Sequence, residues 1–309
     1  MITRSICFRF DVDTPRCLVR GMPALLDLAK ELDVRFTFYV NTGRAVLRRL
    51  HIKTRGGKVS AKKLSALRKL GPWSYIYTAV RNPRLAELDR TGIVARAVAE
   101  GHDVGLHGGR NHAEWQRHAD TWPEAKTRAE LDFGIDALRR LGVPDIASFA
   151  SPGWNTPPGL AGILPDYGIR ILADSHGTDT DTDTMKRTSP DEALQVPTAF
   201  AGEPGGIGYL EWLTARGMDR DQALSHFAAQ LDATFRHFAV LYDHPCFAGL
   251  EGLPLLREML VHCRRAGVAN ITISELGQAY ERDGPNFRLP APPSSADLGT
   301  ALATTDAAY

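Results

Sequence analysis

The first apolar segment of the chain ends in two carboxylates whose spacing could place both of them beside one cation. Residues 6–10 are followed by Asp11, Val12 and Asp13. In an extended strand, residues two apart point to the same side at a separation of about 6.5–7 Å, so Asp11 and Asp13 would share a face. Like charges this close raise each other's pKa unless a positive group lies beside them. A metal cation meets that requirement, and the alternative is a polar turn that closes the strand.

Three histidines follow later apolar segments. His107 comes directly after residues 104–106, and His112 follows it across a glycine-rich turn. Two imidazoles and one carboxylate can bind a divalent ion and leave positions open for water and substrate. His244 ends the apolar segment 238–243, and the carboxyl end of a strand is where catalytic groups lie in barrel folds. The alternatives are a surface pair of histidines and a strand-end histidine bonded to the backbone.

Alternating strands and helices would bring these side chains to one edge of a sheet. The segment before Asp11 is followed by an amphipathic helix over about 18–33 and by a strand at 36–40. This order at short spacing is typical of an α/β fold with a parallel sheet. Loops after parallel strands open on one face, so Asp174, which ends another apolar segment, should lie in the same layer. Asp174 would orient an imidazole there or cap a turn.

Composition narrows the class of protein. The 309 residues are 43% hydrophobic and carry a net charge of +1, so no bulk charge attracts nucleic acid. The four cysteines lack the paired spacing of a zinc knuckle or redox motif, and we find neither an apolar leader nor a run of about 18 apolar residues. We therefore expect a cytoplasmic protein in a reducing compartment.

Two segments interrupt the alternation. Residues 51–91 are first strongly basic and then rich in aromatic side chains, which predicts peripheral contact with an anionic membrane surface, or else a solvated helix and a packed loop. From Gly284 onward the chain has little apolar bulk and should be disordered. The predicted organisation is one domain over 1–283, with an insertion at about 51–91, and a tail over 284–309.

These residues resemble, in order, the five motifs of the NodB-homology polysaccharide deacetylases, carbohydrate esterase family four. The segments that carry the resemblance are Asp11-Val-Asp13, His107 with His112, Ser151-Pro-Gly-Trp154, Asp174 and Leu241-Tyr-Asp-His244. Further segments are similar to one branch, the deformylases of undecaprenyl-phosphate formamidoarabinose and related lipid-linked amino-sugar deacetylases. The resemblance extends from residue 5 to about residue 280.

The resemblance implies a distorted (β/α)7 barrel that removes a formyl or acetyl group from an amino sugar with one divalent metal ion. Asp13, His107 and His112 would bind the ion, which could be zinc, cobalt, manganese, iron or nickel. Asp11 would be the general base and His244 the general acid. The amino sugar would be linked to polyprenyl phosphate and presented at the inner face of the membrane. The alternatives are a soluble glycan or small amide as substrate, and an inactivated barrel that only binds.

The resemblance also implies supporting roles around the reacting groups. Asp174 would keep the imidazole of His244 protonated. The backbone at Gly153, in the turn that also contains Trp154, would help to hold the oxyanion and the substrate.

Two departures from the family pattern bear on the site. The family places its histidines at i and i+4, where this chain has Asn111, so we interpret the turn as one residue longer and choose His112 as the ligand, with Asn111 the alternative. The family's third motif begins with an arginine that pairs with the base, where this chain has Ala150. Arg110 is a candidate replacement. The missing arginine is the reason to consider an inactivated barrel.

Overall fold

Parallel strands curl into a nearly closed barrel in the computed structural model, which describes residues 4–46, 72–176, 184–202, 207–234, 237–284 and 287. The strands in chain order are β1 (Ser5–Val12), β2 (Thr37–Val40), β3 (Asp103–Leu106), β4 (Ser148–Phe149), β5 (Ile171–His176), β6 (Leu194–Thr198), β7 (Phe238–Asp243) and β8 (Ala269–Asn270). Hydrogen bonding follows the order β6, β5, β4, β3, β2, β1, β7, and β8 pairs with the start of β1. A bridge between Phe200, just past β6, and Leu241 of β7 joins the two edges. The predicted distorted (β/α)7 barrel is confirmed.

Helices surround the strands and connect them. They are α1 (Met22–Leu32), α2 (Pro72–Arg81), α3 (Ile93–Ala99), α4 (His112–His118), α5 (Glu124–Arg140), α6 (Leu160–Ile163), α7 (Tyr209–Ala215), α8 (Arg220–Thr234), α9 (Pro245–Ala248), α10 (Leu253–Arg265) and α11 (Ile273–Asp283). A π-helical turn at Cys17–Gly21 precedes α1. Because the paired strands are all parallel, their carboxyl ends lie at the same end of the barrel, and the described loops after them gather there.

The two faces of β1 serve different layers of the fold. Phe8, Phe10 and Val12 belong to the outer core between barrel and helices, whereas Cys7 belongs to a second cluster inside the barrel. Alternation along the strand therefore turns Arg9 and Asp11 inward as well. The interior thus changes from apolar at Cys7 to charged near the carboxyl ends of the strands, where Asp11 lies.

Residues 207–212, which the sequence predicts as a strand, instead lead into α7. The reason is the buried carboxylate of Asp243, whose Oδ2 accepts the N–H groups of Leu210 at 2.7 Å and Glu211 at 3.4 Å. A carboxylate at this position satisfies backbone donors that a helix leaves unpaired in its first turn. A contact distant in sequence therefore decides the local structure.

The two interrupting segments are described only in part. Residues 47–71 of the basic and aromatic stretch lie outside the described residues, and α2 follows them with Ile76 and Tyr77 exposed to 52% and 43%. Most of the predicted tail also lies outside the described residues. Phe287, which the sequence assigns to that tail, packs against the rings of Phe238 and Tyr280. No helix within the described ranges has both the length and the apolar character needed to span a membrane.

His102 supports the beginning of β2 and gives folding a pH dependence. Its Nδ1 accepts the N–H of Phe36 at 3.0 Å, and burial lowers its pKa from 6.5 to about 4. The unfolded chain binds this proton between those two values, so stability falls as pH drops from about 6.5 to 4. We expect a His102→Gln variant to lose about 2 kcal/mol less unfolding free energy than the wild type between pH 7 and pH 5. Urea unfolding at both pH values measures this difference, and equal losses in the two proteins would contradict it.

Candidate metal centre

Three predicted ligands lie together just beyond the carboxyl ends of β1 and β3. Oδ1 of Asp13 is 3.2 Å from Nε2 of His107 and 3.2 Å from Nε2 of His112. One ligand atom from each of the three residues lies within 4.8 Å of the other two. Residues distant in sequence therefore direct one oxygen and two nitrogens toward a common point.

Backbone contacts fix the direction of the His107 ring. The ring is buried at the end of β3, and its Nδ1 lies 2.7 Å from the carbonyl oxygen of Ala150. A carbonyl accepts but cannot donate, so Nδ1 carries the proton and Nε2 keeps its lone pair for a metal. Ala150 follows β4, so the neighbouring strand sets the tautomer of this imidazole.

The structure of the turn between His107 and His112 explains why it is one residue longer than the family's. Gly108 has φ +81°, and a Cβ there would lie 2.7 Å from Cγ of Pro152, so only glycine suits the position. Asn111 then caps α4, because its Oδ1 accepts the N–H of Glu114 at 3.0 Å and its Nδ2 donates to the carbonyl of Val46. Asn111 is occupied as a helix cap, and His112, the first residue of α4, is the side chain that faces Asp13.

Charge within the cluster favours cation binding. Burial alone would raise the pKa of Asp13, but His112, His107 and His244 together hold it well below its usual range. Burial alone would lower the pKa of His107, but Asp11 and Asp13 raise it. A divalent ion would take the place of the proton on His107, so its affinity should fall at low pH.

The donor set fits a divalent metal. Within the described residues, Oδ1 of Asp13 and Nε2 of His112 are buried and form no well-directed hydrogen bond, although they face each other at 3.2 Å. Two imidazoles and a carboxylate are a common ligand set for zinc and for other first-row divalent ions. Asp13, His107 and His112 are thus suited to hold one ion with positions left for water and substrate.

The predicted base, Asp11, lies beside this cluster but is paired with a different group. Its Oδ2 is 3.6 Å from Nε2 of His107. Arg9 donates from Nε to Oδ1 at 2.9 Å and from Nη2 to Oδ2 at 2.8 Å. The proposed substitute Arg110 is instead half-exposed and contacts Glu130, so the interpretation of Arg110 as partner of the base was wrong.

His244 follows β7, which pairs with β1 on the side away from β2 and β3. Its Nε2 is 3.2 Å from Oδ2 of Asp13 and 3.0 Å from the hydroxyl of Tyr242. Nε2 of His244 therefore faces the second oxygen of the carboxylate whose first oxygen faces His107 and His112. The pKa of the adjacent Asp243 is raised to about 6, because burial, aided by Glu211, outweighs the opposing effect of His244.

The buried carboxylate of Asp174 holds the turn that follows β4. Its Oδ1 accepts the N–H of Ser151 at 2.6 Å, and its Oδ2 accepts the hydroxyl of Thr156 at 2.7 Å. The described hydrogen bonds of the carboxylate therefore lie in the loop 151–156, and its predicted effect on His244 stays a prediction. Burial raises the pKa of Asp174, although its hydrogen bonds to Ser151 oppose the change.

The loop held by Asp174 contains the predicted oxyanion turn. Gly153 and Trp154 both have positive φ, +63° and +62°, and the second of these is unusual for a residue with a side chain. The hydrogen bonds of the turn use the N–H of Trp154 and of Asn155. Between the residues that the structure describes, none of these bonds is donated by the N–H of Gly153. The Trp154 ring meets that of Tyr242 edge to face at 5.3 Å between centroids.

Sequence reasoning missed three residues of this site. Arg9 lies two residues before Asp11 on β1, and Tyr242 and Asp243 end β7 directly before His244. For Arg9 and Tyr242 the signal was the period of two, because a polar residue two positions before a strand-end catalytic group points to the same side of the sheet.

The fold and the residues at the barrel mouth together define the class of protein. The chain belongs to the polysaccharide deacetylase family, whose model matches residues 3–172. It is 27% identical over 176 residues to the probable 4-deoxy-4-formamido-L-arabinose-phosphoundecaprenol deformylase of Shewanella sediminis, covering 56% of this chain and 57% of that protein. The corresponding protein of Wigglesworthia glossinidia brevipalpis is 22% identical over 141 residues, 44% of this chain and 48% of that protein. The chain thus matches about half the length of these curated relatives.

Solved structures share the whole fold at low identity. A protein of Mycobacterium smegmatis described as a polysaccharide deacetylase superposes with a TM-score of 0.60 at 18% identity, covering 95% of each chain. The PuuE allantoinase superposes with a TM-score of 0.57 at 13% identity, covering 92% of each chain. At these identities the likeness concerns the fold.

Proposed function

We propose that the chain is a metal-dependent amide hydrolase that removes an N-formyl or N-acetyl group from an amino sugar carried on polyprenyl phosphate. The observation that carries the proposal is the convergence of Asp13, His107 and His112 beside Asp11 and His244 at the mouth of the barrel. A ligand set, a base and an acid on one face are the groups that amide hydrolysis needs.

The side chains divide the reaction between them. A divalent ion at Asp13, His107 and His112 would polarise the amide carbonyl and acidify water. Asp11, held by Arg9, accepts the proton of the attacking water. The N–H of Gly153 donates a hydrogen bond to the developing oxyanion. His244 gives its proton to the leaving amine, so that the sugar departs as a neutral or protonated amine.

The lipid carrier is proposed from the relatives and from exposed apolar side chains on α2. The two curated relatives are named as deformylases of a phosphoundecaprenol-linked sugar. Helix α2 also exposes Ile76 and Tyr77 to water, which is consistent with peripheral contact with the inner face of a membrane. Formamide and acetamide differ by one methyl group, and both remain candidates for the bond that is cleaved.

Mass spectrometry of the candidate substrates tests the proposal. The purified chain is incubated with added Zn²⁺, Co²⁺ or Mn²⁺ and with undecaprenyl-phosphate formamidoarabinose, its N-acetyl analogue or a soluble N-acetylglucosamine oligomer. Loss of the mass of a formyl or acetyl group from a lipid-linked sugar is the expected result. Loss only from the soluble oligomer would favour a glycan deacetylase, and no loss from any of them by metal-loaded protein would contradict the proposal.

A further inference from the structure

An arginine inside the barrel makes the contact with Asp11 that the resemblance assigns to the missing arginine of the third motif. Arg9 is fully buried on β1, two residues before Asp11 and on the same inward face. It forms a two-point contact with the carboxylate, 2.9 Å to Oδ1 and 2.8 Å to Oδ2. Paired N–H···O bonds of this kind fix both the position and the plane of a carboxylate.

Aromatic rings hold the guanidinium in this orientation. Its central carbon lies 4.4 Å from the ring centroid of Trp154, 4.8 Å from that of Tyr39 and 5.3 Å from that of Tyr242. Its Nη1 donates to the carbonyl of Ala173 at 2.5 Å. Burial alone would lower the pKa of Arg9, but Asp11 raises it, so the group stays charged. Arginine rather than lysine suits a position that is both stacked and two-pronged.

The small residue at 150 and the large residue at 9 are complementary. Ala150 is fully buried and belongs to the interior cluster that includes Tyr39 and Ala173, both of which also contact Arg9. An arginine side chain from position 150 would need the same space inside the barrel. The arginine on β1 therefore supplies the positive charge beside Asp11 that position 150 does not supply.

The two carboxylates at the end of β1 have different partners as a result. Both oxygens of Asp11 accept hydrogen bonds from Arg9, whereas Asp13 faces three imidazoles, those of His107, His112 and His244. Without Arg9, Oδ2 of Asp11, 3.6 Å from Nε2 of His107, could turn to the same cation. The guanidinium thus separates a carboxylate that accepts protons from one that binds metal.

We propose that Arg9 is a positioning residue that reserves Asp11 as the base and excludes it from the metal's ligand shell. The inference rests on the proposed function, because it assigns Asp11 its role in that reaction. Through its contact with Trp154, Arg9 also connects the base to the oxyanion turn. It does not touch the substrate.

Cobalt spectroscopy and a double-mutant cycle test this inference together. The proteins compared are wild type, Arg9→Met, Asp11→Asn, and the double variant, each loaded with Co²⁺, whose visible absorption reports the number and geometry of its ligands. Arg9→Met should change the Co²⁺ spectrum, and Asp11→Asn in the same chain should restore it. Arg9→Met should lower kcat about 10²–10³-fold with KM changed less than about threefold. The kcat of the double variant should fall no further than that of the more damaged single variant.

Matched variants separate this role from a general loss of structure. Arg110→Met removes a half-exposed arginine that pairs with Glu130, and it should leave kcat and the Co²⁺ spectrum unchanged. If Arg9→Met does not fold, Arg9→Lys keeps the charge but loses the two-pronged contact, and it should lower kcat at least about tenfold with the metal retained.

Three outcomes would overturn the inference or separate it from the proposed function. An Arg9→Met protein with the wild-type spectrum and kcat would contradict the role of Arg9. Losses that multiply in the double variant would also contradict it, because they would show that Arg9 acts independently of Asp11. Wild-type protein that binds Co²⁺ but releases no acyl group would contradict the proposed function, and the spectral comparison would still test Arg9.

Discussion

Replacing His112 by alanine is expected to abolish stoichiometric metal binding and to lower kcat/KM by at least about 10³-fold. The imidazole supplies one of the three ligand atoms around Oδ1 of Asp13, and the remaining pair, Asp13 and His107, cannot hold a divalent ion with useful affinity. A loss of this size corresponds to about 4 kcal/mol of transition-state stabilisation. Calorimetric titration with Zn²⁺ and steady-state kinetics on the deformylation substrate measure the two effects.

His118→Ala is the matched control for this variant. His118 ends the same helix, α4, and its side chain is exposed, so its removal should leave both metal binding and kcat/KM within about threefold of wild type. A His112→Ala protein that still binds one equivalent of metal would contradict the ligand assignment. It would redirect attention to His244, whose Nε2 also lies 3.2 Å from Asp13.

The sequence predicted a parallel sheet and the polar residues at its carboxyl edge because both depend on short-range patterns, whereas the (β/α)7 barrel was implied by the family resemblance. Alternation of apolar strands with amphipathic helices predicts a parallel sheet, and polar residues that follow its strands fall at one edge. Asp11, Asp13, His107 and His244 all follow this rule. The position of each group along the chain was therefore enough to bring them together in the prediction.

The hydrogen-bond partners of these side chains could not be predicted in the same way, because they depend on contacts between elements that are distant in the sequence. Asp174 hydrogen-bonds Ser151 and Thr156 because the loop after β4 passes next to the end of β5, and the chain order alone does not reveal that approach. Asp243 changes residues 207–212 from a predicted strand to the start of α7 through a hydrogen bond that spans 33 residues. Tertiary contacts overrode local propensity in that segment.

The contact between Arg9 and Asp11 weakens the hypothesis that the chain is an inactivated barrel. That hypothesis depended on the missing arginine of the third motif, where Ala150 stands. The two-point contact between Arg9 and Asp11 supplies a positive partner for the base from its own strand. The sequence feature that favoured a binding protein therefore has an explanation that is compatible with catalysis.

Replacing His244 by glutamine should damage amide hydrolysis far more than hydrolysis of an activated ester. An amine is a poor leaving group and needs the proton of His244, so kcat for the amino-sugar amide should fall about 10²–10⁴-fold. A 4-nitrophenolate leaves without protonation, so kcat for 4-nitrophenyl acetate should fall less than about tenfold. Asp13, His107 and His112 remain in place, so the variant should bind Zn²⁺ stoichiometrically in calorimetric titration. Equal losses on the two substrates would contradict a general-acid role, since a residue that only shapes the site would affect both reactions alike.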